Sequence, residues 1–122
     1  MTKEATLYSF FSGFGIPAFA TQADADTAFP YLVYEPNIAA YGDGPRQIVV
    51  NLWYHGERED VINAKVREIS EKIGLGGLYL PCDGGAVIIR RGEDFAQAQR
   101  DAADDKIRGR YINVTAEYLT PN

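Results

Sequence analysis

Residues 47–55, QIVVNLWYH, decide the fold class of this chain because their side chains alternate in character. Ile48, Val50, Leu52 and Tyr54 occupy every second position, and a more mixed set of residues lies between them. A period of two places successive side chains on opposite faces of a strand. The stretch therefore predicts a β-strand with one clearly apolar face.

The segment that follows has the period of a helix instead. Ile62, Val66, Ile69 and Ile73 fall at i, i+4, i+7 and i+11, a spacing that places all four side chains on one helical face. Charged residues cover the opposite side, and Gly74 ends the pattern. A helix packed against the preceding strand is therefore predicted.

Upstream of residue 47 the sequence predicts another helix and another strand. The large apolar residues within residues 7–14 recur at i, i+3, i+4 and i+7, and Pro17 prevents the helix from continuing. Residues 18–27 have the small, polar composition of a connection. Residues 29–35, FPYLVYE, then predict a strand bounded by prolines.

Downstream of the second helix the pattern is that of strands. Residues 78–80 and 86–89 flank an Asp83-Gly84 step, which predicts a β-hairpin. Residues 110–119 alternate again and predict a long terminal strand. Between them, residues 92–106 are rich in alanine and acid, so they predict a solvated excursion that permits a short helix. The alanines concerned are Ala96, Ala98, Ala102 and Ala103.

These elements predict an α+β fold: a mixed, mainly antiparallel β-sheet flanked by two helices. No linker or shift in composition divides the chain, so residues 1–122 are predicted to form a single domain. The predicted core comprises Leu7, Phe10, Phe14, Ile48, Val50, Leu52, Ile62, Val66, Ile69, Ile112, Val114 and Tyr118.

Composition limits the classes of function. A formal net charge of −5 argues against an affinity that rests on neutralising nucleic-acid phosphates. The single cysteine, Cys82, cannot form an internal disulfide and is too little for a structural zinc site. Residues 7–20 imitate a signal peptide, but glycine, serine and proline interrupt them, so a cytoplasmic protein is expected. No stretch approaches the roughly 20 apolar residues of a membrane helix, so no membrane contact is predicted.

The sequence predicts no catalytic site, cofactor or metal. His55 is the one histidine, and its place at a strand end is typical of a surface residue rather than a general base. Cys82 has no basic neighbour to lower its pKa and is interpreted as an inert turn residue. The glycine clusters lack the Gly-Lys-Ser/Thr of a phosphate loop, and the acidic segment lacks the ligand spacing of an EF-hand. We therefore expect a protein that is not an enzyme.

Four segments, which span nearly the whole chain, carry a resemblance to a known family. They are the first helix with residues 15–19, GIPAF; residues 29–34, FPYLVY; residues 47–73; and residues 95–97 with 107–119. In this order they resemble the tail terminator (tail completion) proteins of long-tailed bacteriophages and prophages. The resemblance implies an α+β structural protein of the virion tail, assembled in the bacterial host cytoplasm.

The resemblance also implies partners. A ring of six copies would cap the tail tube, contact the tail tube protein and a head-completion protein, and let DNA pass without specific binding. An isolated subunit could stay monomeric until it meets the tube. Three alternatives stay open: another head–tail connector or minor capsid protein, a small enzyme with an unrecognised site, and a binding module for a charged partner.

Charged residues in and around the 92–106 segment are the candidates for roles in such a ring. Because an acidic lumen repels phosphates, some of the acids there are predicted to face the channel. These acids are Glu93, Asp94, Asp101, Asp104 and Asp105. The arginines that bracket the segment serve either solubility or ion pairs between subunits, and the two interpretations stay open. These arginines are Arg90, Arg91, Arg108 and Arg110.

Overall fold

The computed structural model describes residues 1–101 and 103–122. This part of the chain contains two α-helices, α1 (Lys3–Phe11) and α2 (Asp60–Ile73), and a 3₁₀ turn (Ser12–Phe14) that follows α1. The strands in chain order are β1 (Ala18–Ala20), β2 (Tyr31–Tyr34), β3 (Arg46–His55), β4 (Leu78–Cys82), β5 (Gly85–Arg100) and β6 (Ile107–Leu119).

The six strands form one sheet in the order β1-β2-β3-β6-β5-β4, and this sheet curls into a half-barrel. β1 and β2 are parallel, and every other neighbouring pair is antiparallel. The predicted α+β class, with a mixed and mainly antiparallel sheet and two helices, is therefore confirmed.

Both helices cover the same face of the sheet. On α1 the ring of Phe11 stacks on Tyr34 of β2, with 4.5 Å between the ring centroids. On α2 the buried residues are Ile62, Ile69 and Ile73, as their helical spacing predicts. Val66 is half-buried at the margin of the core, whereas every other residue of the predicted core is buried.

The two longest predicted strands pair at the centre of the sheet. Ile48 lies opposite Val114, and Val50 lies opposite Ile112. These even-numbered side chains point towards the helices and are fully buried, while their odd-numbered neighbours point to the other face. The alternation in residues 47–55 therefore decides which side of the sheet the helices occupy.

Two predictions about local structure are wrong. Residues 92–100 continue β5 as a strand and do not form an irregular excursion or a short helix, although most of them are exposed as predicted, while Ala102 lies outside the described residues. Residues 18–20, predicted as part of a connection, form the edge strand β1. A strand of three residues is too short for a period of two to register.

A wide bulge explains why the sequence of β5 does not alternate. The register passes from Arg91 opposite Val114 to Ala96 opposite Ile112, so residues 92–95 face the single residue Asn113. The side-chain amide of Asn113 donates to the carbonyl oxygen of Asp94, 2.8 Å away, and holds the bulge against the sheet. An insertion of this kind breaks the alternation on which sequence prediction relies.

Candidate assembly surface

One face of the sheet is covered by helices, and the opposite face carries the odd-numbered side chains of β2, β3 and β6. Most of these side chains are half-buried rather than exposed. The loop that joins β1 to β2 crosses this uncovered face, since residues 21–25 line a cleft together with Tyr31 and Trp53. The face therefore mixes aromatic and polar groups and has no helix over it.

Hydrogen-bonded amides form a ladder across the uncovered face. Gln99 donates to the amide oxygen of Asn51 at 2.6 Å, and Gln47 donates to the amide oxygen of Asn113 at 2.7 Å. Amide side chains carry no net charge. The middle of this face is therefore polar but electrically neutral.

Trp53 shapes the same face by lying over a glycine. It is the cross-strand neighbour of Gly109, and a Cβ atom built on Gly109 would lie 2.4 Å from the indole ring. No side chain fits in that space without displacing the ring. The close approach of ring and backbone thus requires glycine at position 109.

The sheet has two open strand edges, which lie on its opposite sides and in the same rows of paired residues. β4 pairs only with residues 85–89 of β5, so residues 96–100 of β5, here called the distal segment, pair with β6 on one side and with no described strand on the other. At the opposite end β1 pairs with β2 alone. Unpaired strand edges are surfaces on which another chain can add a strand.

Two of the four predicted interface arginines join β6 to the start of α2. Arg110 donates to a carboxylate oxygen of Glu59 and, at 2.9 Å, to Asn63. Arg108 lies 3.3 Å from the other oxygen of Glu59 and donates to the carbonyl oxygen of Glu57. The hydrogen bond from Arg110, with the charges of the nearby arginines, lowers the pKa of Glu59 below its usual value. These contacts fasten the helix to the sheet within one chain.

The other two arginines are also engaged within the chain. Arg90 pairs with Glu117 on the uncovered face at 3.0 Å. Arg91 points to the helical face and donates to the hydroxyl of Ser70 on α2 at 2.9 Å. A role for any of the four between subunits stays a prediction, and each of them already has a structural partner.

The five acids predicted to face a channel fall into two groups. Glu93 and Asp94 lie in the bulge, and the other three lie in the turn between β5 and β6. About 20 Å separates the two groups, from the rise per residue of a strand. Within the turn, Asp104 accepts from the backbone amide of Lys106 and pairs with His55 at 2.9 Å, and these contacts lower the pKa of its carboxyl group. The acids do not form one cluster.

The residues considered for catalysis lie apart. His55 ends β3 beside Asp104, whereas Cys82 ends β4, near the N-terminus of the chain. Burial raises the pKa of the Cys82 thiol, which disfavours the thiolate. In residues 1–101 and 103–122, no three side chains of the metal-binding types converge, and no helix is long and apolar enough to cross a membrane.

A cleft of about 510 Å³ lies on the helical side of the molecule. It runs between α1, α2 and β4, and its walls include Phe10, Phe14 and Leu80, with Lys72 beside them. Thr6 also lines it, and the Thr6 hydroxyl is buried without a hydrogen-bond partner among the described residues. The apolar walls and the Thr6 hydroxyl without a partner indicate a gap in the packing beneath α1.

No protein-family model matches this chain, and no curated protein matches it.

The sequence alone missed both open edges. The alternation of alanine and glutamine through residues 96–99 is the available signal for the distal segment, and the acids on either side of it obscure that signal. For β1, residues 18–20 offer only a short apolar run. Open edges follow from the order of strands in the sheet, which local sequence does not specify.

Proposed function

We propose that this chain is a structural subunit of a bacteriophage or prophage tail, a tail terminator that caps the tail tube as a ring and joins it to the head. The observation that carries the proposal is the one-sided, curled sheet, with helices on one face and a neutral amide ladder on the other. A subunit of this shape suits a ring wall, with its helices outside and its sheet turned towards a channel.

The electrostatics of the uncovered face suit a channel that DNA crosses. Proteins that hold DNA do so mainly by placing lysine and arginine against the phosphates. Here the amides are neutral, and Arg90, on the same face, is paired with Glu117. With a net charge of −5, the subunit has no excess of cations with which to hold DNA. DNA would pass such a wall without being bound.

The order of the four family-like segments is the second support. Three of them lie in elements that build the uncovered face: residues 29–34 include β2, residues 47–73 include β3, and residues 107–119 are β6. The alternative, another head–tail connector protein, has the same supports. The two roles differ in what they do to tail length.

Deletion of the gene from its phage separates these roles. Loss of a terminator leaves overlong tails that are not joined to heads, because tube growth no longer stops. Loss of a connector instead leaves unattached tails of normal length. Electron microscopy of lysates, with the wild-type gene supplied in trans as the control, makes the distinction. Tails of normal length attached to heads would contradict both roles.

A further inference from the structure

We propose that copies of this chain join head to tail by strand pairing, the edge of β1 in one copy forming an antiparallel pair with the distal segment of β5 in the next. The pairing rests on the proposed ring and names the strands that would close it. Three independent properties of the two edges carry it: level, direction and hydrogen-bonding parity.

The two edges lie at the same level of the sheet. Ala18 lies opposite Leu32, Leu32 opposite Leu52, Leu52 opposite Arg110, and Arg110 opposite Ala98. In the same way the row of Ala20 ends at Ala96. A rotation that carries one copy onto the next about an axis along the strands therefore places β1 beside the distal segment.

The strand directions also agree. β1 is parallel to β2, and three antiparallel steps lead from β2 through β3 and β6 to β5, so β1 and β5 run in opposite directions. Rotation about an axis along the strands preserves direction. The distal segment of one copy would therefore lie antiparallel to β1 of the next.

The free backbone groups of β1 follow from its bonds to β2. The carbonyl oxygen of Pro17 accepts from the amide of Leu32, and the amide of Thr21 donates to Tyr34, so odd-numbered residues of β1 face β2. The groups of Ala18 and the amide of Ala20 face outward, while the carbonyl of Ala20 accepts from Gln22 at 2.7 Å. Two donors and one acceptor on this edge therefore have no hydrogen-bond partner within the described chain; Ala20 is exposed, and Ala18 is 7% exposed.

The free groups of the distal segment follow in the same way. The amide of Gly56 donates to the carbonyl of Lys106, so even-numbered residues of β6 face β3 and odd-numbered ones face β5. Gln97 and Gln99, opposite Tyr111 and Gly109, therefore bond to β6. The amides and carbonyls of the remaining residues of the distal segment face outward. These residues are Ala96, Ala98 and Arg100.

The two sets of free groups match. With Ala18 opposite Ala98 and Ala20 opposite Ala96, three backbone hydrogen bonds form: two between Ala18 and Ala98, and one from Ala20 to Ala96. All four side chains are methyl groups on the helical face, so they leave space for the neighbouring helix layer. A shift of two residues keeps the parity, whereas a shift of one residue loses it.

Strand β4 also lies at an edge of the sheet, but a proline closes that edge to a further strand. The backbone amides and carbonyls of the even-numbered residues of β4 bond to β5, so those of Tyr79 and Pro81 face outward. Proline has no amide hydrogen and blocks the addition of a strand. The distal segment contains no proline and no lysine. Of these two edges, only the distal segment keeps its full set of donors and acceptors.

Cysteine cross-linking tests the pairing. In a Cys82→Ser background, the pair Ala20→Cys with Ala96→Cys is expected to give a ladder of covalent oligomers with a mild oxidant or a short bis-maleimide. The control pair Ala20→Cys with Gln97→Cys places its thiols on opposite faces and should give at least tenfold less product. Equal yields from the two pairs, or dimers from Ala96→Cys alone, would overturn the head-to-tail pairing.

Two proline variants separate edge pairing from stability. Ala98→Pro removes an outward amide, so it should abolish the ladder and leave the unfolding midpoint within a few degrees of wild type. Gln97→Pro removes a bond to β6 and should lower that midpoint strongly. An Ala98→Pro variant that still forms the ladder would overturn the pairing. A ladder from a protein that never caps purified tail tubes would reject the terminator role and leave the pairing intact.

Discussion

Gly109 and Trp53 show how one residue fixes the shape of the uncovered face. The indole ring packs closely against the backbone of β6 because residue 109 has no side chain. The aromatic ring covers backbone that a glycine would otherwise expose in the middle of a strand.

Replacing Gly109 with alanine is expected to destabilise the fold by about 1–3 kcal/mol, since the added methyl group must displace the ring of Trp53. Urea unfolding followed by tryptophan fluorescence reports the stability and the position of the ring together. The control is Gly76→Ala, where a Cβ atom meets nothing within 4 Å. Equal stability of the two variants would show that the ring moves aside freely.

The stability of the fold is expected to depend on pH through the carboxyl group of Glu59. The pKa of its carboxyl group is lowered in the folded chain from an ordinary value of 4.5, mainly by the hydrogen bond from Arg110. Its contribution is therefore complete above pH 4.5 and is lost as the pH falls through the lowered value. Wild type should exceed Glu59→Gln in stability at pH 7, and the difference should shrink towards pH 3 in urea unfolding. A difference that is constant with pH would contradict this assignment.

At the scale of elements, helix α2 is held to the sheet by its apolar stripe. Ile69 is 1% exposed, so Ile69→Ala should cost about 2–5 kcal/mol in the free energy of unfolding. Val61, on the same helix, is 53% exposed, and Val61→Ala should change stability by less than about 0.5 kcal/mol. Denaturant titrations compare the two directly. Equal effects would remove the stripe from the core.

The elements also show how far the sequence can predict this fold. Strands β3 and β6 and both helices can be predicted from periodicity, because the apolar residues of a half-buried strand or an amphipathic helix recur at a characteristic spacing. The distal segment of β5 does not, because the bulge at residues 92–95 shifts the register and places acids where a strand should alternate. The charged residues named from the sequence stay predictions. The residues of the proposed strand pairing, Ala18, Ala20, Ala96 and Ala98, could not be named from the sequence because a methyl side chain gives no sign of the strand edge on which it lies.

At the scale of the whole molecule, the charge of −5 bears on how a ring would treat DNA. Of the acids predicted to repel phosphates, Glu93, Asp94 and Asp105 are exposed and have no ion-pair partner within the described chain, and Glu93 and Asp94 lie side by side in the bulge. Replacing both with lysine should permit tail capping and slow DNA ejection severalfold, because lysine attracts phosphate.

The control for this charge reversal is Glu4→Lys with Glu71→Lys, two exposed positions on the helices. Ejection from purified phage, followed by the fluorescence of a DNA-binding dye, gives the rate. Added salt should restore the rate of the bulge variant, because it screens the new charges. Normal ejection from the bulge variant would reject the placement of these acids in the channel.

The position of β6 has a consequence for how the protein is made. Of the six strands in this sheet, β6 leaves the ribosome after the other five, yet it lies in the middle of the sheet, between β3 and β5. Until residues 107–119 are translated, the nascent chain holds two pieces of sheet with no strand to connect them. A polypeptide interrupted before that point cannot assemble its core and is exposed to proteases. Only chains that include β6 can therefore complete the sheet.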